Sequence, residues 1–85
     1  NYPNPFNPTT SFEFQVPSLG FVRLSVFDML GREVARLVEG ERAPGRYIAR
    51  WDASSMSSGV YYYRMTATAK SGNTFSHTRR MALIK

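Results

Sequence analysis

The fold is decided by residues 59–68, which read Gly-Val-Tyr-Tyr-Tyr-Arg-Met-Thr-Ala-Thr. β-Branched and aromatic side chains occupy both alternating sets of positions in this stretch, which is typical of a strand with neighbours on both sides. Successive side chains of a strand point to opposite faces of the sheet. We therefore predict a central strand here, with Tyr61 and Tyr63 on one face and Tyr62 on the other.

Alternation of apolar and polar residues also runs through residues 10–52 and predicts further strands. Three sets of apolar residues each share one face of a strand: Phe12, Phe14 and Val16; Val22, Leu24 and Val26; and Tyr47, Ala49 and Trp51. The segment 33–39 fits both strand and helical spacing, and its short length and flanking turns favour a strand. The last strand is predicted at residues 74–84, because Phe75, Met81 and Leu83 are separated by even numbers of residues and so share one face of a strand.

Turn residues separate these segments. Asp28 can accept a hydrogen bond from the backbone two residues on, and Gly31 can take a positive φ, so the two predict a hairpin loop. Gly72 supplies another tight turn, and Asp52 begins a polar loop that runs to residue 58. Six or seven short strands, with turn signals about every eight to twelve residues, predict an antiparallel sandwich or small barrel.

The 85-residue chain is long enough for one domain and too short for two independent cores. Hydrophobic residues make up 42% of it and aromatic residues 14%, so we expect it to fold. Three prolines in residues 1–8 predict an extended lead-in, which we place at residues 1–9, before a single domain at residues 10–85. No apolar run reaches the roughly 18 residues of a membrane span, and we expect no membrane insertion. Because the first residue is Asn1, we interpret the chain as a piece of a longer polypeptide.

The formal net charge of +5 is unevenly distributed. Residues 1–52 hold six basic and six acidic side chains, which sum to zero, whereas residues 53–85 hold no acidic side chain. The five basic residues of that second part are Arg64, Lys70, Arg79, Arg80 and Lys85. A basic last strand has two interpretations: an edge protected against edge-to-edge pairing, or a recognition element.

Candidate catalytic and metal-binding residues are few. The absence of cysteine excludes a disulfide framework, a thiolate metal site and a cysteine nucleophile. His77 is the single histidine and has no carboxylate near it in the sequence, so we interpret it as an exposed strand residue. Asp28 and Asp52 lie at strand ends, where a carboxylate usually accepts backbone N–H bonds, although calcium binding there stays open. We therefore expect no enzyme activity and no cofactor.

A nucleic-acid interface is the more serious alternative. The tyrosines of residues 61–63 could stack on bases while Arg64, Arg79 and Arg80 contact phosphates. However, strand geometry sends these tyrosines to opposite faces, and at least one face must be core. We therefore expect core aromatics and no nucleic-acid partner.

Five blocks of sequence occur in order along the chain. They are NYPNPFNPTT at 1–10, VFDMLGREV at 26–34, WD at 51–52, SGVYYYR at 58–64 and RMALIK at 80–85. Together they resemble the C-terminal sorting domain of type IX secretion substrates, found in bacteria of the Bacteroidetes–Chlorobi group, and the related immunoglobulin-like domain of flagellar hook-capping proteins. The resemblance covers essentially the whole chain and implies an immunoglobulin-like antiparallel β-sandwich of about seven strands.

The resemblance implies a sorting signal attached to a larger exported cargo protein. In that family the outer-membrane translocon recognises the domain after the cargo reaches the periplasm, and a sortase-like peptidase can then remove it at the cell surface. The family motifs fall on three groups of positions: Pro3, Asn4 and Pro5; Gly59, Val60 and Tyr61; and Arg80 and Lys85. Arg80 stands where many members have lysine, which keeps the charge but changes its geometry.

Two functions of different classes remain open at this point. The first is a non-catalytic sorting signal whose last strand, with Arg79, Arg80 and Lys85, is read by the secretion machinery. The alternative is a structural immunoglobulin-like module of a surface array or filament, which is retained in the mature protein. An exposed strand edge serves either function.

Overall fold

The computed structural model describes residues 9–84, which form six β-strands and no helix. The strands are β1 (Thr9–Val16), β2 (Gly20–Phe27), β3 (Glu33–Arg42), β4 (Gly45–Asp52), β5 (Gly59–Ala69) and β6 (Thr74–Leu83). The predicted all-β class is confirmed, but the described residues contain six strands and not about seven. Of the predicted lead-in, residues 1–8 lie outside the described residues. No helix within residues 9–84 is long and apolar enough to cross a membrane.

The strands form two antiparallel sheets. β1 and β4 make a two-stranded sheet, and the four-stranded sheet has the order β3-β2-β5-β6. β5 contains the stretch 59–68 and pairs with β2 on one side and β6 on the other, so the predicted central strand is confirmed. β3 and β6 are therefore the two edges of the larger sheet.

The core lies between the two sheets. Its buried apolar residues come from every strand and from the loop after β4: Phe12, Phe14, Val16, Val22, Leu24, Val26, Val38, Ala49, Trp51, Ala53, Tyr61, Met65, Ala67 and Leu83. The rings of Phe12 in β1 and Tyr63 in β5 have centroids 4.3 Å apart. Trp51 in β4 meets Tyr61 in β5 edge-on at 5.4 Å. These contacts place the two-stranded sheet over the middle of the four-stranded one, where burial of apolar surface stabilises the sandwich.

The segment with mixed periodicity is the strand β3, and its register explains the mixture. Leu24 is opposite Val38 and Ser25 is opposite Arg36, so one residue of β3 between them has no opposite partner in β2. A second shift of the same kind lies between Val26 and Phe27 of β2. Bulges break the alternation of a strand, so β3 does not show the clean period of two seen in β1.

The hairpin loop between β2 and β3 is built on Asp28. Its Oδ1 accepts the backbone N–H groups of Leu30 at 2.9 Å and Arg32 at 3.0 Å, and its Oδ2 accepts the Nε of Arg32 at 2.8 Å. These bonds, led by the backbone bond from Arg32, hold the pKa of Asp28 below its ordinary value. Gly31 has a φ of +84°, the left-handed conformation that favours glycine.

Candidate recognition surface

The last strand, β6, is the most exposed strand of the described part of the chain. Its only neighbour within residues 9–84 is β5, and all of residues 74–80 are exposed. The other end of β6 is anchored, because Leu83 is only 6% exposed. Thus β6 presents an open edge, while Leu83, at the end of the strand away from the β5–β6 turn, holds it to the core.

Arg79 and Arg80 lie on opposite faces of this strand. Arg79 is opposite Tyr63 in the register, and Arg80 is opposite Tyr62. Because Tyr63 packs against Phe12 of the other sheet, the Arg79 side is the inward face of the sheet. The sequence predicted one basic cluster, but the side chains of Arg79 and Arg80 lie on two different surfaces of the domain.

The inward face carries a basic and aromatic row. The Nε of Arg79 donates a hydrogen bond to the Nε2 of His77 at 2.7 Å, and His77 stacks beside Phe75 with centroids 6.4 Å apart. Phe75 is 47% exposed although it is in phase with Met81 and the buried Leu83. Sequence reasoning missed this row because it interpreted His77 alone, without its neighbours two residues away on the same face.

On the outward face, Arg64 of β5 lies between two elements. Its Nε donates to the Oγ1 of Thr78 at 3.3 Å, and its guanidinium lies 5.1 Å from the centre of the Phe27 ring. The cation–π contact orients the guanidinium but leaves its charge without a counter-ion. Arg64 and Arg80 thus make the outward face of the sheet basic near β6.

The basic charge of residues 53–84 is mostly unpaired. Lys70 is the exception, since its Nζ lies 2.8 Å from Glu41, and that bond raises the pKa of Lys70 above its ordinary value. Within residues 9–84, Arg64, Arg79 and Arg80 make no ion pair. The positive potential therefore concentrates on β6 and the adjacent part of β5, and Lys70 does not contribute to it fully.

The Gly59–Tyr61 motif lies beside the end of β6. Gly59 is opposite Leu83, and Tyr61 is opposite Met81. Tyr61 is 6% exposed, and its hydroxyl donates to the carbonyl oxygen of Ser57 at 2.7 Å. The structure therefore brings this motif together with the anchored end of β6. Pro3, Asn4, Pro5 and Lys85 lie outside the described residues.

The turn candidates lie away from β6, except Gly72. Gly72 has a φ of +100° in the β5–β6 turn, where its N–H donates to the carbonyl of Ala69 at 2.8 Å. Asp52 accepts the backbone N–H of Ser54 at 3.0 Å at the end of β4. Trp51 is buried beside Tyr61 and contributes to the core.

The acidic side chains act in turns and ion pairs. Asp28 lines a cavity of about 560 Å³ beside residues 55–61, but its carboxylate is already bonded to its own turn. The described ranges contain no group of three potential metal ligands. His77 makes its side-chain hydrogen bond with Arg79, which cannot act as the acidic member of a catalytic triad.

Comparison with known proteins gives one family. The family model described as "Secretion system C-terminal sorting domain" matches residues 1–77. The match includes Pro3, Asn4 and Pro5 and the Gly59–Tyr61 motif, and it ends before Arg79. No curated protein and no solved structure matches the chain.

Proposed function

Since the chain belongs to the family of secretion system C-terminal sorting domains, a sorting signal of type IX secretion, we propose that it directs a larger cargo protein through the outer-membrane translocon. The cargo domain precedes residue 1 in the same polypeptide, passes through the periplasm and reaches the cell surface or the medium. The single observation that carries this proposal is the family match over residues 1–77. The family is in general non-catalytic, and we extend that property to this chain.

The element that we assign to recognition is β6. Three observations support this choice: its edge is open, residues 74–80 are exposed, and Arg79 and Arg80 have no counter-ion within the described residues. Unpaired basic groups on an open edge can bind a partner both by charge and by backbone pairing. Lys85 continues this basic set in the sequence. The partners are the type IX translocon and the sortase-like peptidase that removes the domain.

The test is surface delivery of a reporter fused ahead of the chain in a type IX host. Truncation from Ala82 would also remove the buried Leu83, so it would confound recognition with folding. The sharper variant is Arg79→Glu combined with Arg80→Glu, which reverses charge at two exposed positions. We expect delivery to fall at least about tenfold, as for loss of charge complementarity at an interface.

The matched control is Arg46→Glu combined with Arg50→Glu, which makes the same change in net charge on exposed positions of β4. This control should keep most of the delivery. Equal loss in both double variants would show that net charge alone matters, and unchanged delivery in the β6 variant would remove β6 from recognition.

A structural module is the second candidate function, and the open edge of β6 is the observation that favours it. Modules of this kind can assemble by strand addition and remain in the mature protein. Intact-mass measurement of the mature exported protein separates the two functions: loss of the domain supports processing as a sorting signal, whereas its retention supports the structural module.

A further inference from the structure

A groove opens between β1 and the inward face of β6. Its volume is about 260 Å³, and its floor includes Leu24 and Met65, which are 1% and 5% exposed. The wall formed by β6 is the row of Phe75, His77 and Arg79. The groove therefore joins an apolar floor to one basic, aromatic wall.

The groove exists because the two sheets differ in width. β1 packs over β5 through the contact of Phe12 with Tyr63, and β6 lies one strand further out. Within residues 9–84, β1 pairs with β4 on one side and with no strand on the other. Strands in a sheet are about 4.8 Å apart, so a strand added to the free edge of β1 would lie over β6.

The charges of the groove define what would complement it. Arg79 makes no ion pair among the described residues, and its hydrogen bond to His77 brings no negative charge. On the opposite wall, the carboxylate of Glu13 is 3.7 Å from Arg46 of the neighbouring strand. An extended segment with apolar side chains for the floor and one carboxylate for Arg79 fits this arrangement.

We propose that the groove takes a β-strand from another polypeptide, which pairs with the free edge of β1 and places a carboxylate against Arg79. The added strand completes the smaller sheet and covers Phe75. This inference goes beyond the proposed function, because it rests on the groove and holds whether or not the outer edge of β6 is read during secretion.

Two other occupants fit less well. Residues 1–8 contain three prolines, which cannot donate to a strand ladder, and no acidic side chain for Arg79. A second copy joined through β1 meets a steric obstacle, since each copy carries a β6 that extends beyond its β1. The two β6 strands would meet before the two β1 edges came within pairing distance.

The test is binding of the 85-residue chain to a synthetic peptide, Val-Thr-Val-Thr-Glu-Thr-Val-Thr, measured by calorimetry. Its valines and glutamate share one face, as the groove requires. Arg79→Glu should weaken binding roughly five- to tenfold, whereas Arg80→Glu, the same charge change on the opposite face, should change it less than about twofold. A peptide with its glutamate moved by one position should bind the unaltered chain as weakly as the original peptide binds the Arg79→Glu variant.

Amide hydrogen exchange then locates the peptide. New protection in β1 supports the proposal, and protection confined to β6 overturns it, because the peptide would then occupy the outer edge of β6. Equal weakening by the two variants, or no binding at all, also overturns it. Tighter binding after deletion of residues 1–8 would assign the groove to that segment and would overturn the proposal as well. Since the readout is binding in solution, its failure is distinct from a failure of surface delivery.

Discussion

The two edges of the four-stranded sheet, β3 and β6, are built in opposite ways. β3 has two register shifts against β2, and four of its charged side chains, Glu33, Arg36, Glu39 and Glu41, make ion pairs on the strand or with its neighbours. Arg36 bonds Glu33 at 2.9 Å and Glu39 at 3.1 Å, and Glu39 also accepts a bond from Arg23 at 2.9 Å. β6 pairs with β5 in an unbroken register from Thr74 to Leu83, and neither of its arginines makes an ion pair within residues 9–84.

This difference shows how one sheet can have one edge that resists pairing with a further strand and one edge that allows it. Bulges twist a strand away from the geometry that a new partner needs, and paired charges leave little electrostatic attraction. β3 uses both devices. The regular ladder of β6 keeps its outer backbone groups in pairing geometry, so charge alone guards that edge against unwanted partners.

Among the variants that test the difference between the two edges, Leu83→Ala should have the largest effect on stability, because β6 is anchored at that residue. Leu83 is 6% exposed, and its truncation should lower the free energy of unfolding by about 2–3 kcal/mol. The neighbouring Ile84 is 85% exposed, so Ile84→Ala should change it by less than about 0.5 kcal/mol. Denaturant unfolding measures both, and equal losses would show that β6 is not held by Leu83.

Arg79→Thr combined with Arg80→Thr should remove the charge that guards the open edge. We expect self-association at concentrations where the unaltered chain remains less associated, because strands without edge charges pair with one another. Arg36→Thr on β3 is the control and should not associate, since the bulges remain. Sedimentation velocity gives the answer, and association of the β3 variant to the same degree would contradict the assigned difference between the edges.

The pH dependence of stability should arise on the β3 side. The pKa of Asp28 is lowered chiefly by the backbone N–H of Arg32, and the pKa of Glu39 is lowered by its bonds to Arg36 and Arg23. The carboxylates of Asp28 and Glu39 bind protons more weakly in the folded chain than in the unfolded chain. Their contribution to the free energy of unfolding is therefore present above the ordinary pKa, and it is lost as the pH falls through the folded pKa.

The free energy of unfolding should therefore decrease as the pH falls below about 5. Asp28→Asn keeps an acceptor for the turn and should make this decrease shallower. Arg79→Thr should leave the slope as it is, because residues 53–85 contain no carboxylate side chain. Urea unfolding across the pH range measures the slope, and an unaltered slope in the Asp28 variant would assign it to other groups.

The sequence predicted a feature of the fold correctly where a single local pattern, such as apolar alternation or turn chemistry, determines it. Phe12, Phe14 and Val16 are buried as the alternation requires, and the Asp28–Gly31 loop follows from side-chain bonding and a positive φ. The strand β3 was predicted as well, but its bulges depend on the register with β2. Periodicity reports the faces of one strand and does not report its pairing.

The exposure of Phe75 could not be predicted for a related reason. It is in phase with Leu83, yet burial on the inward face depends on how many strands the opposite sheet contributes. Likewise, the charge count included Lys70 in the basic tail, and only the folded chain shows that Glu41 partly neutralises it. The motif positions Pro3, Asn4, Pro5 and Lys85 stay predictions.

The anchoring of β6 by Leu83 also has a mechanical consequence. A pulling force applied at residue 84 acts first on the buried Leu83 and then on an antiparallel ladder loaded from one end. When the force is directed away from β5, across the strands, such a ladder opens one pair at a time and does not share the load among all its hydrogen bonds. Once Leu83 leaves the core, the exposed residues 74–80 offer little further resistance, so the strand that we assign to recognition is also the one that force removes first.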